Sequence, residues 1–169
     1  MPLIFYMGIK KGCAMKPEGC DRQLYTPEQR ARRNASHWTM VQGVLAPVQF
    51  RICLISAALV IRYLMTGDGY MAATVSVVIK TFALYAIMVT GAIWEKEVFG
   101  QYLLADAFFW EDMVSFAVIA LHTVYLVALI AGSMQPQQLM MLALVAYVAY
   151  AVNAAQFLWK LRVARLGAC

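Results

Sequence analysis

Two apolar stretches near the C-terminus decide the fold: MVSFAVIALHTVYLVALIAGSM at 113–134 and LMMLALVAYVAYAVNAAQFLW at 139–159. Neither contains Asp, Glu, Lys or Arg, and each has the roughly twenty residues with which a helix crosses a bilayer. Because lipid offers the backbone no hydrogen-bond partners, a single spanning segment of this length must be helical. The four residues QPQQ between them leave room only for a tight turn, so an antiparallel pair of membrane helices is predicted.

Two further apolar spans precede this pair, at about 43–65 (GVLAPVQFRICLISAALVIRYLM) and about 72–94 (AATVSVVIKTFALYAIMVTGAIW). The chain has 169 residues, is 63% hydrophobic and has a mean hydropathy of +0.66, which is typical of an integral membrane protein and not of a soluble domain. We therefore predict an all-α fold: an integral membrane four-helix antiparallel bundle with short outer turns, occupying 43–160. No separate soluble domain is expected at this length.

The basic residues predict the topology. Seven Lys and Arg lie in the tail 1–42, and others follow the last span in the basic tail 161–169, whereas the turns 66–71 and 135–138 contain none. By the positive-inside rule, both termini and the connector 95–112 face the cytoplasm. This distribution also accounts for the net charge of +5 without a nucleic-acid partner; the expected partner is the lipid bilayer.

Thr26 and Pro27 have the sequence of a helix start, with Thr as the N-cap and Pro in the first turn, so a short interfacial helix is predicted at about 26–38. The four cysteines form no C-x-x-C pair, and with two histidines in the chain no metal site of the protein's own is expected. We interpret them as free thiols facing a reducing compartment; they are Cys13, Cys20, Cys53 and Cys169.

Charged residues inside the spans are candidate binding groups. Arg51 and Lys80 lie well within predicted helices, where an ionised group costs about 2.5–3.5 kcal/mol at the bilayer centre. We expect each to face the bundle interior with an anionic partner. For Arg51 an alternative stays open, in which its long side chain reaches the headgroups.

Further polar residues extend this pattern. One stripe of the third helix leads from the cytoplasmic rim to the middle of the helix and contains Glu111, Ser115, Val118 and His122. Asn153 and Gln156 lie one turn apart on the fourth. Each alone is explained by an interhelical hydrogen bond worth about 0.6 kcal/mol, and His122 by a hydrogen-bonded core histidine. Together they predict a polar pocket that opens inward.

The segment GAIWEKEVFGQYLLADAFFWEDMVSF, 91–116, contains five of the chain's nine carboxylates and two of its four tryptophans. A carboxyl group held against aromatic rings near lipid is favoured in its neutral form, as a general acid requires. The tryptophans alone are also typical of an interfacial aromatic belt. The residues singled out here are Glu95, Glu97, Glu111, Asp112, Trp94 and Trp110.

Four blocks carry a family resemblance: RRNASHWTMVQGVLAPVQF (32–50), VVIKTFALYAIMVTGAIWEKEVFG (77–100), FFWEDMVSFAVIALHTVYL (108–126) and YAVNAAQFLWKLR (150–162). Together they resemble the 3-vinyl bacteriochlorophyllide hydratase family of bacteriochlorophyll biosynthesis, over about 32–165. The resemblance implies a multi-pass enzyme of the bacterial inner, photosynthetic membrane. It would add water across the C3 vinyl group of a magnesium chlorin or bacteriochlorin, giving a 1-hydroxyethyl group.

The implied partners are the magnesium tetrapyrrole substrate and water; other pigment-biosynthesis enzymes or a second copy of the chain stay open. Hydration changes no redox state, so no cofactor is implied beyond the magnesium of the substrate. For the reaction we consider Glu111 or Glu95 as the acid that protonates the vinyl group. His122 or Asp112 is the candidate base, and His122 is alternatively an axial ligand of the substrate's magnesium.

The remaining candidates are assigned to substrate binding. Lys80 or Arg51 would pair with the propionate of the macrocycle, and Asn153 and Gln156 would position water or bind ring carbonyl groups. The other expected substrate contacts are Trp94, Glu97 and Trp110. Two competing functions stay open at this point: a non-enzymatic tetrapyrrole carrier or assembly factor, and a small proton-coupled transporter that uses the intramembrane charges.

Overall fold

The computed structural model describes residues 24–166, with side chains as far as 162. This part of the chain consists of five helices and has no strand. Four of the helices are long and apolar enough to cross a membrane, so the predicted all-α membrane fold is confirmed. Cys53 is a buried free thiol, whereas Cys13, Cys20 and Cys169 lie outside the described residues. The helices are α1 (Pro27–Ala35), α2 (His37–Thr66), α3 (Tyr70–Phe99), α4 (Phe109–Ala131) and α5 (Pro136–Leu166).

The spanning helices form two hairpins. Gly67 and Gly69 join α2 to α3 with φ angles of +78° and +86°, in the left-handed region that glycine adopts without strain. Gly132, with φ +60°, ends α4 before the turn into α5. Both turns lie at one end of the bundle, the turn end. At the opposite end, the connector end, residues 100–108 link α3 to α4.

Hydrogen bonds between side chains add to the packing of α2 against α3 within the first hairpin. Gln42 Nε2 donates to Thr90 Oγ1 at 2.7 Å, and the hydroxyl oxygens of Ser56 and Ser76 are 2.7 Å apart. Packing is extensive within each hairpin and sparser between them. We call the interface between the α2–α3 and α4–α5 hairpins the seam.

The helix lengths explain why charges collect at the connector end. With 30 residues, α3 is about 45 Å long, whereas the hydrocarbon core is about 30 Å thick. α3 is thus longer than the hydrocarbon core requires, and Glu95 and Glu97 lie near its last residue, at the connector end.

The boundary between α1 and α2 is sharper than the sequence suggested. The Thr26 hydroxyl accepts from the Gln29 N–H, and the Gln29 side chain accepts from the Thr26 N–H. The helix predicted at about 26–38 then ends at Ala35, because the extended backbone of Ser36 interrupts it. Ser36 accepts from the Trp38 N–H and so caps α2, which begins six residues before the predicted span.

The core has two parts. Towards the turn end, small and apolar side chains let the helices approach closely. At the connector end an aromatic cluster contains Tyr25, Trp94, Phe99, Phe108 and Phe157. Burial raises the pKa of the Tyr25 phenol, an effect that the neighbouring guanidinium of Arg33 opposes.

Candidate functional site

A pair of buried carboxyl groups occupies the connector end. Glu95 and Asp112 are 5% and 3% exposed, and their carboxyl groups lie side by side. Asp112 Oδ2 also accepts from the Leu104 N–H at 2.7 Å, and Glu95 Oε2 accepts from the Ala105 N–H at 3.4 Å. Two buried carboxyl groups at close range disfavour simultaneous ionisation, so this carboxyl pair is suited to holding one proton between them.

The connector is folded around this pair. Leu104 has φ +60°, an uncommon conformation for a residue with a side chain, and it turns two successive N–H groups towards the carboxyl oxygens. Asp112 also lies in the first turn of α4, where the helix dipole stabilises negative charge. The pair therefore fixes the backbone of the connector.

Two further acids of the segment have different partners. Glu111 Oε2 lies 2.6 Å from Lys160 Nζ, and the two residues form an ion pair between α4 and α5. Glu97 accepts a hydrogen bond from the hydroxyl of Ser36. Since Ser36 caps α2, Glu97 ties the junction of α1 and α2 to α3.

The two candidate tryptophans differ in orientation. Trp94 packs edge-to-face on Phe99 and Phe108, with ring centroids 5.8 Å apart in both cases, and its Nε1 donates to Thr39 Oγ1 at 2.9 Å. Trp110 is 73% exposed. The structure thus brings Trp94 into the connector end, whereas Trp110 faces outward, as in an aromatic belt.

Lys80 lies in the middle of the bundle and is fully buried. Its Nζ is 3.9 Å from the centre of the Tyr150 ring, it has Cys53 as a neighbour, and it has no hydrogen-bond partner within the described residues. A cation–π contact stabilises an ammonium group but leaves its N–H donors unused. Lys80 can therefore bind an anionic group that enters the seam.

His122 is also fully buried, with its ring 5.9 Å from that of Tyr147. Its Nδ1 is 2.8 Å from the Val118 carbonyl oxygen. A carbonyl only accepts, so Nδ1 carries the hydrogen and Nε2 of the neutral ring presents a lone pair. Since Nε2 has no partner in the described part of the chain, it is available as a base or as a metal ligand.

Three carboxamides complete the polar interior. Asn153 Nδ2 donates to Ser115 Oγ at 2.7 Å, but its Oδ1 has no partner among the described residues, and neither has Gln156 Oε1. Gln49 is 2% exposed, and within the described residues neither its Oε1 nor its Nε2 has a hydrogen-bond partner. Buried polar atoms in native proteins are nearly always hydrogen-bonded, so these atoms require an explanation.

The structure groups some of the predicted residues and separates others. Burial of Ser115, Val118 and His122 confirms that the predicted stripe of α4 faces the interior. Arg51 is exposed on the outer face of α2 and does not face the bundle interior. This position agrees with the alternative in which its side chain reaches the headgroups. The connector end contains Glu95, Glu111, Asp112 and Trp94; the bundle interior contains Lys80, His122, Asn153 and Gln156; Arg51, Glu97 and Trp110 point elsewhere.

The sequence predictions missed two interior groups. Gln49 stands seven residues after Gln42 and seven before Ser56, a two-turn spacing that could have marked it as facing inward. Lys160 directly follows the fourth predicted span, where the positive-inside rule already explains a basic residue, so its pairing with Glu111 was not predicted. Within the described residues there is no group of three His, Cys, Asp or Glu side chains that could hold a metal ion.

An open groove of about 780 Å³ lies at the turn end, far from the carboxyl pair. Its lining residues include no titratable side chain, so it offers neither an acid nor a base. The lining residues are Leu64, Gln137, Gln138 and Met141.

Comparison with known proteins assigns the chain to a family. Residues 25–163 match the family model described as 2-vinyl bacteriochlorophyllide hydratase. A curated protein of that name from Cereibacter sphaeroides is 66% identical over 151 residues, 89% of this chain and 93% of the relative. Another, from Rhodobacter capsulatus, is 63% identical over 147 residues, 87% of this chain and 85% of the relative. No solved structure matches. The resemblance carried by the four sequence blocks is thereby confirmed.

Proposed function

This chain belongs to the 2-vinyl bacteriochlorophyllide hydratase family, and we propose that it adds water across the vinyl group of a chlorophyllide or bacteriochlorophyllide. The older ring numbering assigns the number 2 to the vinyl group on C3. The chain is a membrane hydratase of bacteriochlorophyll synthesis. We further propose that its connector end and both termini face the cytoplasm, because the basic residues flank that end.

The reaction needs one proton donor and one proton acceptor. A proton is transferred to the terminal vinyl carbon, which leaves a cation on the adjacent carbon that the macrocycle delocalises. The oxygen of a water molecule bonds to this carbon and then loses a proton, which gives the 1-hydroxyethyl group. One water is added and no electrons are exchanged, so no redox cofactor is required.

The carboxyl pair is suited to both proton transfers, and the burial of these two carboxyl groups beside each other is the observation that carries the proposal. Asp112 accepts a hydrogen bond at 2.7 Å, whereas Glu95 accepts one at 3.4 Å, which favours the negative charge on Asp112 and the proton on Glu95. Glu95 is therefore the donor, and the pair recovers a proton from the attacking water. Glu111 has Lys160 as its partner and lies outside this pair, so it is not the proposed donor.

The unpaired groups of the seam support a binding mode for the macrocycle. Lys80 pairs with the propionate carboxylate, which supplies the anion that its buried ammonium group lacks. The free Nε2 of His122 is an axial ligand for the magnesium of the substrate. His122 lies ten residues from Asp112 on α4, about 15 Å along the helix, so the macrocycle extends from His122 towards the carboxyl pair.

The test uses membranes that contain the protein and a 3-vinyl pigment, incubated in the dark. We expect the red absorption band to move to shorter wavelength, because the vinyl group leaves conjugation, and the product mass to rise by one water. Glu95→Gln should lower turnover by about 10²- to 10⁴-fold while the pigment still binds.

Asp106→Asn is the matched control, since Asp106 is an exposed carboxylate of the same connector. Its turnover should equal that of the wild type. Pigment that binds the wild type without any change in band or mass would overturn the proposed reaction. Full activity of Glu95→Gln would overturn the assignment of the acid.

A further inference from the structure

Gln49 of α2 is a buried carboxamide with no role in the scheme above. It is 2% exposed, and within the described residues neither its oxygen nor its nitrogen has a hydrogen-bond partner. Burying an amide group without hydrogen bonds is unfavourable, so we expect a polar ligand to form hydrogen bonds with Gln49.

The register of the helices gives the depth of Gln49. Ser56, two turns further along α2, is hydrogen-bonded to Tyr147 of α5 across the seam. From that contact, Gln49 lies about 10 Å towards the connector end along α2, and Asn153 lies about 9 Å in the same direction along α5. Both side chains are buried, so they lie at the same depth in the bundle interior on different hairpins.

This depth is close to the carboxyl pair. Asn153 is bonded to Ser115 of α4, which lies three residues, about 4.5 Å along the helix, from Asp112. His122 lies seven residues beyond Ser115, about 10 Å further into the bundle. The two carboxamides are thus between the proton donor and the proposed magnesium ligand, at the depth where the reacting vinyl group belongs.

The unpaired atoms at this depth are suited to a water molecule in the number of their donors and acceptors. Gln49 Oε1 and Asn153 Oδ1 are two acceptors, and Gln49 Nε2 is a donor. A ring carbonyl would use the donor and leave both acceptors unpaired, and an anion would be repelled by the amide oxygens. A water molecule donates two hydrogen bonds and accepts one here, which satisfies all three atoms and leaves it one free lone pair.

We propose that Gln49 and Asn153 hold the water molecule that attacks the substrate; this inference rests on the proposed function. The two amide oxygens engage both O–H groups and increase the electron density on the water oxygen. Its free lone pair forms the C–O bond to the cation. Once the C–O bond has formed, one O–H group of the oxonium turns from its amide oxygen to the carboxyl pair and loses its proton there, which restores the shared proton. Gln49 is thus a positioning residue for the nucleophile.

Holding the water on one side of the macrocycle has a stereochemical consequence. The carbon that it attacks becomes a stereocentre, and a fixed water attacks one face of the cation. Water from bulk solvent attacks either face, so loss of Gln49 should alter the ratio of the two epimers.

The experiment compares Gln49→Met with the wild-type protein in membranes, using the 3-vinyl pigment. Turnover should fall about 10- to 100-fold, which is typical of a misplaced reactant. The epimer ratio, measured by chiral chromatography, should move towards equal amounts, and the pigment dissociation constant should stay within about twofold of the wild-type value. Gln42→Met, on the same face of α2 but bonded to Thr90, should leave all three quantities unchanged.

Several results would overturn the inference. Weaker pigment binding with an unchanged epimer ratio would mean that Gln49 contacts the macrocycle itself. An unchanged rate and ratio would mean that it has no part in the reaction. If Gln49→Met does not fold, Gln49→Asn decides, because its shorter side chain should also shift the ratio. A wild-type protein that adds no water would instead overturn the proposed function.

Discussion

The connector end and the middle of the bundle differ in whether their buried polar groups have hydrogen-bond partners within the described residues. At the connector end Glu95, Asp112 and Glu111 each have partners within the chain: another carboxyl group, a backbone N–H or Lys160. In the middle, Lys80 and His122 keep polar atoms with no partner among the described residues. Satisfied groups stabilise the fold, whereas unsatisfied ones reduce its stability unless a ligand completes them. The first region therefore contributes to the protein's own stability, and the second leaves polar atoms available for the proposed ligand.

The largest effect is expected from Asp112→Leu, which tests the satisfied region. The substitution removes the partner of the Leu104 N–H in a strained backbone, so the free energy of unfolding should fall by about 1–3 kcal/mol. Turnover should fall by about 10²- to 10⁴-fold, because the shared proton is lost. Thermal unfolding in detergent and the hydration assay measure the two effects. Asp106→Leu, at an exposed position, should change neither; unaltered stability of Asp112→Leu would end the distinction between the two regions.

Lys80→Met tests the unsatisfied region. Replacing an unpaired buried ammonium group by an apolar side chain of similar shape should leave the stability unchanged or raise it. Pigment with a free propionate should bind about 10- to 150-fold more weakly, since a hydrogen bond to a charged group is worth about 1.5–3 kcal/mol.

The propionate methyl ester is the control ligand for this variant. It lacks the negative charge, so its affinity should differ little between Lys80→Met and the wild type. Equal losses for the free acid and the ester would show that Lys80 does not pair with the propionate.

His122→Leu should have a smaller effect on affinity. Loss of the axial ligand should weaken binding of the magnesium pigment on the order of tenfold, which corresponds to about 1.4 kcal/mol. The absorption spectrum of the bound pigment should also change, because its metal loses a ligand. The magnesium-free pigment is the control, and it should bind the variant and the wild type equally; an unchanged spectrum for the magnesium pigment would argue that His122 acts as a base.

The smallest effect is expected from Trp110→Leu. Its ring is largely exposed, so stability should change by no more than about 0.5 kcal/mol and turnover should not change. Trp94→Leu is the contrasting variant: it loses the packing on Phe108 and the hydrogen bond to Thr39, so its unfolding temperature should fall clearly. Similar behaviour of the two variants would contradict the difference in orientation.

The candidate site could be predicted from the sequence only in part. The stripe that contains Ser115 and His122 was visible because helical spacing alone decides which residues share a face. The choice among carboxylates was not visible, because Glu95 and Glu111 have the same sequence surroundings of aromatic residues and neighbouring acids. Their partners, Asp112 and Lys160, come from other helices, and pairing across helices depends on rotation and register.

By itself the sequence determined that this protein is an all-α membrane bundle. The length and hydropathy of each span are local properties, and they decide for each helix separately whether it can cross the bilayer. It also carried the blocks that mark the family. Only the tertiary structure decided which polar residues meet. The rotation of α2 turns Gln49 inward and Arg51 outward although they are two residues apart, and the fold of the connector brings Asp112 to Glu95. The physical reason is that in lipid the hydrophobic effect does not sort one helix face from another, so side-chain packing and hydrogen bonds between helices set their orientation.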